Sequence, residues 1–249
     1  MDQILTGALQ GATEFLPVSS SGHLFLARNL FSLNFGTEYI VLLHLGTLLA
    51  VILYFWKDIR DILFGLFKLD FKSWKLTFAL IVATVPAVIV GYFFKDFIEQ
   101  NMTNNIFVGI CLFITGVTVF ITDRIKVSKY GIEDIGVLKA LLIGVFQAMA
   151  ILPGISRSGF TLACALLLGV KREDAFRFSF LLSIPVILGG AVFEMSGNQH
   201  FFEGMGGFIT AAVVGFFALF ILKKLTKTSK LKYFSFYCWV MGVIAIAMA

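Results

Sequence analysis

Six long apolar runs divide this chain, and they restrict its fold more than any other feature of the sequence. The runs cover residues 41–56, 76–94, 106–122, 178–195, 207–222 and 233–249. Each approaches the roughly 20 residues that a helix needs to cross the hydrocarbon core of a bilayer. The composition agrees, because 59% of the residues are hydrophobic and only 14% are charged. The sequence therefore predicts an all-α polytopic membrane protein with about six spanning helices.

Two other classes of protein do not fit the composition. The net charge is +5, but the 20 Lys and Arg residues are scattered between the apolar runs and form no single stripe that would suit a nucleic acid. The three cysteines, Cys111, Cys164 and Cys238, lie far apart inside apolar runs. We predict that they are buried packing thiols, with neither a disulfide framework nor a zinc site.

The basic residues predict how the chain is oriented in the membrane. Most of them lie in connections 57–75, 123–139 and 223–232, whereas connection 95–105 has only Lys95 and connection 196–206 has none. The positive-inside rule makes the three basic connections cytoplasmic, which leaves both termini outside. The span that starts at residue 41 then runs inward, and the span that starts at residue 178 runs outward.

The two halves of the chain therefore point in opposite directions, and their sequences are related. A shift of 137 residues aligns Gly7 with Gly144, Gln10 with Gln147, Ser19 with Ser156, Ser21 with Ser158 and Gly22 with Gly159. We predict a single membrane domain, 1–249, made of two inverted repeats, 1–122 and 140–249, with a cytoplasmic linker at 123–139.

Each predicted repeat opens with a segment that returns to the side from which it enters. Residues 1–40 start and finish outside, and residues 140–177 start and finish inside. Both segments break at a proline, Pro17 or Pro153, that is followed by small polar residues. We predict two re-entrant helical hairpins whose tips meet near the middle of the membrane, where protein or water satisfies their irregular backbone.

The predicted tips have the chemistry of an anion site. Serines precede the second arm of each hairpin, where N-cap residues belong. Two converging helix N-termini favour an anion, above all phosphate, and Arg157 adds a full charge whose planar fork suits phosphate oxygens. The alternatives for Arg157 are that it reaches the membrane surface or only pairs with Glu14.

Three further side chains complete a candidate active site. Glu14 and His23 lie on the two arms of the first hairpin, where a carboxylate beside an imidazole forms a base and acid pair. The shift of 137 residues places Ser20 opposite Arg157, as a nucleophile facing a phosphate clamp. A structural ion pair and helix capping are the alternatives for Glu14 and the serines. We predict that His44 and His200 are not catalytic.

The motifs that contain these residues resemble a known family. They read Gln10-x-x-x-Glu14-Phe15-Leu16-Pro17-Val18-Ser19-Ser20-Ser21-Gly22-His23 and, far downstream, Pro153-Gly154-x-Ser156-Arg157-Ser158-x-x-Thr161. In order and spacing they resemble the undecaprenyl-pyrophosphate phosphatase family, which is also known for bacitracin resistance. The resemblance implies hydrolysis of the polyprenyl pyrophosphate carrier to the monophosphate in the bacterial plasma membrane, which recycles the lipid used in cell-wall synthesis.

The resemblance also implies roles for individual residues. Catalysis falls to Glu14, Ser20, His23 and Arg157, and phosphate binding to Ser19, Ser156, Ser158 and Thr161. To these we add Ser21 as a further phosphate-binding residue, with Gln10 and Gln147 as polar support. Many members have Glu where this chain has Gln10, so a metal bridged by two carboxylates is not expected. Glu14 with substrate oxygens can still hold Mg²⁺ or Ca²⁺ loosely.

Several alternatives stay open at this point. An inverted-repeat transporter or flippase for a lipid phosphate or another anion is the main rival function. The acid-phosphatase-like type of lipid phosphatase needs a histidine at position 163, where this chain has Ala163. His23 or water can replace Ser20 as the nucleophile. Glycines such as Gly189 and Gly190 permit a homodimer interface.

Overall fold

The computed structural model describes residues 2–31, 33, 35–101, 104–125, 128–194 and 204–249. Within these ranges the regular structure is helical, apart from one isolated bridge between Tyr130 and Val170. In chain order the helices are α1 (Asp2–Phe15), α2 (Ser20–Phe31), α3 (Thr37–Tyr54), α4 (Trp56–Phe67), α5 (Phe71–Phe93), α6 (Lys95–Asn101), α7 (Asn105–Arg124), α8 (Val137–Met149), α9 (Arg157–Leu167), α10 (Arg172–Glu194), α11 (Met205–Lys227) and α12 (Lys232–Ala247). A 3-10 turn, Ile132–Asp134, precedes α8.

Five of these helices are long and apolar enough to cross a membrane, within the part of the chain that the structure describes. They are α3, α5, α7, α10 and α11. The sixth predicted span, 233–249, corresponds to α12, which has 16 residues. At that length α12 extends for about 24 Å, less than the bilayer core of about 30 Å. The chain is an all-α polytopic membrane protein, and its described residues include five full-length candidate spans.

The side chains of the spans are apolar on both faces, as membrane helices require. On α5, Phe78, Ile81 and Val85 face outward and are exposed, whereas on α10 Phe178 and Leu182 are completely buried. Lipid tails are as apolar as these side chains, so the outward residues face a compatible solvent. The three cysteines are free and buried, as predicted.

The basic connections lie together at one end of the molecule. Lys72 pairs with Glu133 at 3.1 Å, which joins connection 57–75 to connection 123–139. The backbone N–H of Lys232 donates to Asp123 at 2.7 Å, which brings the third basic connection, 223–232, to the same end. Ion pairs of Arg177 with Asp58 and of Lys227 with Glu173 attach the start of α10 there.

The first basic connection, 57–75, contains a helix that the long apolar runs do not predict. It contains α4, none of whose residues is buried and on which Trp56 and Phe64 are exposed beside charged residues. The next helix, α5, begins after Asp70, whose carboxylate accepts hydrogen bonds from the backbone N–H and the hydroxyl of Ser73, both at 2.9 Å. These hydrogen bonds hold the pKa of Asp70 below its ordinary value.

Two helical hairpins occupy the centre of the fold. The first consists of α1 and α2, the second of α8 and α9, and each packs its first arm against a span from the other half of the chain. Glycine permits both approaches: a Cβ on Gly7 of α1 would lie 2.4 Å from the carbonyl oxygen of Gly207, and one on Gly144 of α8 would lie 2.5 Å from that of Ala83.

Candidate active site

The tips of the two hairpins contain matching serine caps. Ser19 precedes α2, and its Oγ accepts a hydrogen bond from the backbone N–H of Gly22 at 3.3 Å. Ser156 precedes α9 and accepts from the N–H of Gly159 at 3.2 Å. The tips touch where Ser19 Oγ also accepts from the backbone N–H of Gly154, at 3.1 Å. Both serines lie at the N-cap positions that the sequence predicts.

The carboxylate of Glu14 connects the two tips. Glu14 lies near the end of α1, and its Oε2 accepts a hydrogen bond from the hydroxyl of Ser20, the first residue of α2, at 2.6 Å. Its Oε1 accepts from Nη2 of Arg157, the first residue of α9, at 2.8 Å. Gln10 Nε2 donates to Oε2 at 3.2 Å from one turn earlier on α1. The structure thus brings four of the predicted site residues together, three of them around the carboxylate of the fourth.

Arg157 lies mostly inside the protein and pairs with Glu14. Its side chain is 13% exposed and that of Glu14 is 7% exposed. Its guanidinium carbon lies 5.9 Å from the ring centre of Phe180. Nη2 donates to Glu14, whereas the buried Nη1 has no hydrogen-bond partner among the described residues. A guanidinium with one donor edge on Glu14 and another uncommitted can bind a phosphate oxygen without releasing the carboxylate.

His23 is buried, and its described hydrogen bonds go to Ser19 and Tyr237 and not to Glu14. Its Nδ1 lies 2.7 Å from the carbonyl oxygen of Ser19, and its Nε2 lies 2.8 Å from the hydroxyl of Tyr237 on α12. Because Nδ1 must donate to the carbonyl, Nε2 accepts from the Tyr237 hydroxyl. The sequence placed the His23 imidazole beside Glu14. In the structure it instead fixes the backbone of Ser19, whose φ of +69° is unusual for a residue other than glycine.

The imidazole that lies beside Glu14 belongs to His44, a residue that the sequence predicts not to be catalytic. His44 Nδ1 on α3 lies 2.8 Å from Gln10 Nε2 and 3.4 Å from Glu14 Oε2. An ionisable residue inside a predicted membrane span is itself a pointer to a functional site, and this pattern could have identified His44. The other discounted histidine, His200, lies outside the described residues.

The remaining predicted residues take supporting positions. Ser21 and Ser158 contact the hydroxyls of Ser19 and Ser156, each at 3.2 Å. Ser158 also donates to the carbonyl oxygen of Leu16 at 3.5 Å, across the two tips.

Two of the predicted residues contact neighbouring helices. Thr161 is completely buried, and its hydroxyl lies 2.6 Å from that of Ser179 on α10. Gln147 donates to the carbonyl oxygen of Ala83 on α5 at 3.1 Å. These two contacts join helices. Thr161 also donates to the carbonyl oxygen of Arg157 on its own helix at 2.8 Å, and none of the described contacts of Thr161 or Gln147 reaches Glu14.

Two residues that are not among the predicted site residues hold the tips in place. On α7, Thr115 donates to the carbonyl oxygen of Gly154 at 2.8 Å. On α12, Cys238 Sγ lies 3.6 Å from the carbonyl oxygen of Pro17 and donates to it. Pro17 and Gly154 are themselves 137 residues apart, so the two anchors have equivalent places in the two halves.

A divalent cation does not fit this site as a group held by the protein alone. Glu14 is the one carboxylate among the contacts described above, and both of its oxygens already accept hydrogen bonds. Within the described residues, three or more metal-binding side chains do not cluster anywhere. A cation that takes six or more oxygen ligands would need several from the substrate.

Comparison with known proteins identifies the family of this chain. The family model of the bacitracin resistance protein BacA matches residues 3–244. Proteins named undecaprenyl-diphosphatase are similar over nearly their whole length. That of Methanococcus vannielii is 46% identical, with 99% of each chain covered. That of Thermosipho africanus is 42% identical with 98% of each chain covered, and that of Methanococcus maripaludis is 40% identical with 96% covered. The chain belongs to the bacitracin resistance protein BacA family.

Proposed function

We propose that this protein is an undecaprenyl-diphosphatase, which hydrolyses undecaprenyl pyrophosphate to the monophosphate and inorganic phosphate and so recycles the lipid carrier. The observation that carries the proposal is the 2.6 Å hydrogen bond from the Ser20 hydroxyl to the Glu14 carboxylate, beside the Arg157 guanidinium. A serine hydroxyl that is paired with a base and faces a positively charged guanidinium can accept a phosphoryl group from a substrate. The relatives named undecaprenyl-diphosphatase support the choice of substrate.

The first chemical step transfers the terminal phosphoryl group to the protein. Ser20 Oγ attacks the terminal phosphorus and its proton passes to Glu14. The bond from that phosphorus to the bridging oxygen breaks, and its electron pair leaves with the lipid monophosphate. Arg157 Nη1 binds an equatorial oxygen, and the N-termini of α2 and α9 add partial positive charge where negative charge accumulates.

The second step returns the enzyme to its starting state. A water molecule attacks the phosphorus of the phosphoserine, and the bond to Ser20 Oγ breaks. The proton held by Glu14 returns to Ser20, and the proton of the water leaves with inorganic phosphate or passes to solvent. Since Glu14 contacts Ser20 directly, one carboxylate serves as base in the first step and as acid in the second.

The transporter alternative is not favoured. A carrier for a lipid phosphate needs Arg157 and the helix N-termini, but it has no use for a serine hydroxyl that donates to a buried carboxylate. The relatives are also named for a hydrolytic activity. His23 as the nucleophile is less favoured than Ser20, because both of its ring nitrogens are engaged by Ser19 and Tyr237.

A divalent cation, if the reaction uses one, is held by Glu14 together with pyrophosphate oxygens. Removal of Mg²⁺ or Ca²⁺ with a chelator should then leave the thermal unfolding midpoint of the substrate-free protein unchanged. A fall in that midpoint, reversed by one of the two ions, would show instead that the protein binds the ion without substrate.

The activity test is release of phosphate from undecaprenyl pyrophosphate by the purified protein in detergent. The matched controls are Ser20→Ala and Leu49→Ala, the latter an exposed residue of α3. We expect phosphate release by the wild type and by Leu49→Ala, and loss of it in Ser20→Ala. Retention of full activity by Ser20→Ala, or no release by the wild type, would contradict the proposed function.

A further inference from the structure

His44 belongs to a chain of polar contacts that reaches the proposed nucleophile. Its Nδ1 lies 2.8 Å from the amide nitrogen of Gln10, that nitrogen lies 3.2 Å from Glu14 Oε2, and Oε2 lies 2.6 Å from the hydroxyl of Ser20. The four side chains come from α1, α2 and α3. The roles proposed above for Ser20, Glu14 and Arg157 do not use His44.

The chemistry of the Gln10 amide fixes the direction of these contacts. Gln10 is completely buried, so water does not compete for its amide. If the amide were turned around, its oxygen would face the carboxylate oxygen of Glu14, and two acceptors would oppose each other. The amide nitrogen therefore faces Glu14 and donates one hydrogen to Oε2. Its second hydrogen points to His44 Nδ1, which must accept it.

We propose that His44 is a positioning residue for the hydrolysis: by holding the Gln10 amide, it fixes the Glu14 carboxylate on the hydroxyl of Ser20. This inference rests on the proposed function, and it adds a residue that acts through Gln10 and Glu14 without touching the phosphate. The nucleophile and its base are then oriented by further groups, as in other sites with an activated hydroxyl.

Gln10 adds a second constraint on the Glu14 carboxylate while substrate is bound. Arg157 holds Glu14 Oε1 through Nη2 and offers Nη1 to the phosphate in the proposed mechanism. Gln10 contacts Oε2 from the same helix as Glu14 and does not contact the phosphate in the proposed mechanism. An amide that His44 holds in place therefore keeps Oε2 on Ser20 while Arg157 binds the substrate.

Substitutions at position 44 separate positioning from other roles. His44→Ala removes the acceptor for the Gln10 amide, whereas His44→Asn replaces Nδ1 with a carbonyl oxygen at the same distance along the side chain. Leu49→Ala on the same helix is the control. We expect His44→Ala to lower kcat for phosphate release about tenfold with KM little changed, and His44→Asn to restore most of the loss.

Equal impairment of His44→Asn and His44→Ala, or an effect on KM alone, would overturn the proposal. If His44→Ala does not fold, His44→Leu provides the same comparison with His44→Asn. The double variant of His44→Ala with Gln10→Ala should be no slower than Gln10→Ala alone, because both changes act on one contact. If the double variant instead lost activity by the product of the two single losses, His44 and Gln10 would act independently, which would also contradict the proposal.

A second measurement does not depend on the lipid substrate. The rate at which a fluorophosphonate probe modifies Ser20, followed by peptide mass spectrometry, reports how well the serine is activated. We expect slower labelling in His44→Ala and recovery in His44→Asn, even if the wild type releases no phosphate from undecaprenyl pyrophosphate. That result would separate a wrong substrate from a wrong role for His44. Unchanged labelling in His44→Ala, or a wild-type Ser20 that the probe does not modify, would overturn the proposal.

Discussion

Arg157 donates a 2.8 Å hydrogen bond to Glu14, a residue 143 positions earlier in the chain, and this contact joins the two hairpins. Each hairpin supplies half of the site: the first provides the carboxylate and Ser20, and the second provides the guanidinium. Neither side chain is exposed enough for water to replace its partner fully. A charge buried without its partner is costly, so the two residues depend on each other.

The planar fork of Arg157 predicts that Lys cannot replace it. Lysine has one ammonium group, which cannot hold Glu14 and a phosphate oxygen along two edges at once. We expect Arg157→Lys to retain less than about a tenth of the wild-type kcat/KM, a loss of more than roughly 1.4 kcal/mol of transition-state stabilisation. Steady-state phosphate release measures it. A variant that keeps more activity than this would show that charge matters and fork geometry does not.

We propose that residues 1–122 and 140–249 are inverted repeats joined by the linker 123–139. Equivalent hydrogen bonds support the proposal. Ser19 accepts from the backbone N–H of Gly22 in one tip, and Ser156 accepts from that of Gly159 in the other. The anchors Thr115 and Cys238 are likewise equivalent. The clustering of the basic connections at one end agrees with the predicted orientation, in which both termini lie outside the plasma membrane.

Cysteine labelling tests this orientation in intact cells. An impermeant thiol reagent should react with Gln100→Cys and Ala249→Cys, which are predicted to lie outside. It should not react with Lys129→Cys or Lys230→Cys until the membrane is made permeable. The native cysteines are buried and provide a low background. Labelling of Lys129→Cys or Lys230→Cys in intact cells would contradict both the orientation and the inverted repeat.

Gly154 forms the tip of the second hairpin in a conformation that other residues rarely adopt. Its φ is +96°, and a Cβ there would lie 2.5 Å from the carbonyl oxygen of Val108. We expect Gly154→Ala to destabilise the protein by at least roughly 1 kcal/mol and to reduce activity. Gly189→Ala is the control, since a Cβ there meets nothing within 4 Å. Thermal unfolding midpoints in detergent that fall equally for both variants would refute the prediction.

Substitution of Tyr237 tests whether His23 acts by holding the tip of the first hairpin at Ser19. Tyr237→Phe keeps the ring beside His23 and removes the hydroxyl that lies 2.8 Å from Nε2. Loss of one buried hydrogen bond should lower kcat about three- to tenfold, without abolishing activity. The comparison is with His23→Ala, which removes the contact to Ser19 as well and should be slower. Equal rates for the wild type and Tyr237→Phe would show that α12 does not orient His23.

The spans and hairpins were predictable because their determinants are local. Long apolar runs, proline breaks and serine caps are each visible in a few consecutive residues, and the predicted spans match helices in the structure. α4 was not predicted, because charged residues interrupt its apolar residues and leave no continuous apolar run. The apolar run 233–249 is also slightly longer than α12, because the helix ends at Ala247 although the last two residues of the run are apolar as well.

The site was predictable only in part, because side-chain directions depend on packing. Glu14, Ser20 and Arg157 follow from the two tips meeting. His23 lies four residues after Ser19 and turns back onto its carbonyl, so the ring faces α12 and not Glu14. His44 takes the predicted place of His23 because α3 packs beside α1, a contact that the sequence of either helix does not reveal.

The identity of the nucleophile is the central claim, and trapping the phosphoenzyme tests it most directly. Turnover with undecaprenyl pyrophosphate is quenched within the first catalytic cycle in acid and, in parallel, in alkali. Phosphoserine survives the acid, whereas phosphohistidine survives only the alkali. We expect peptide mass spectrometry to find phosphate on Ser20 in both quenches and none in Ser20→Ala. Phosphate on His23, or a Ser20→Ala enzyme that releases phosphate at about the wild-type rate, would contradict the account.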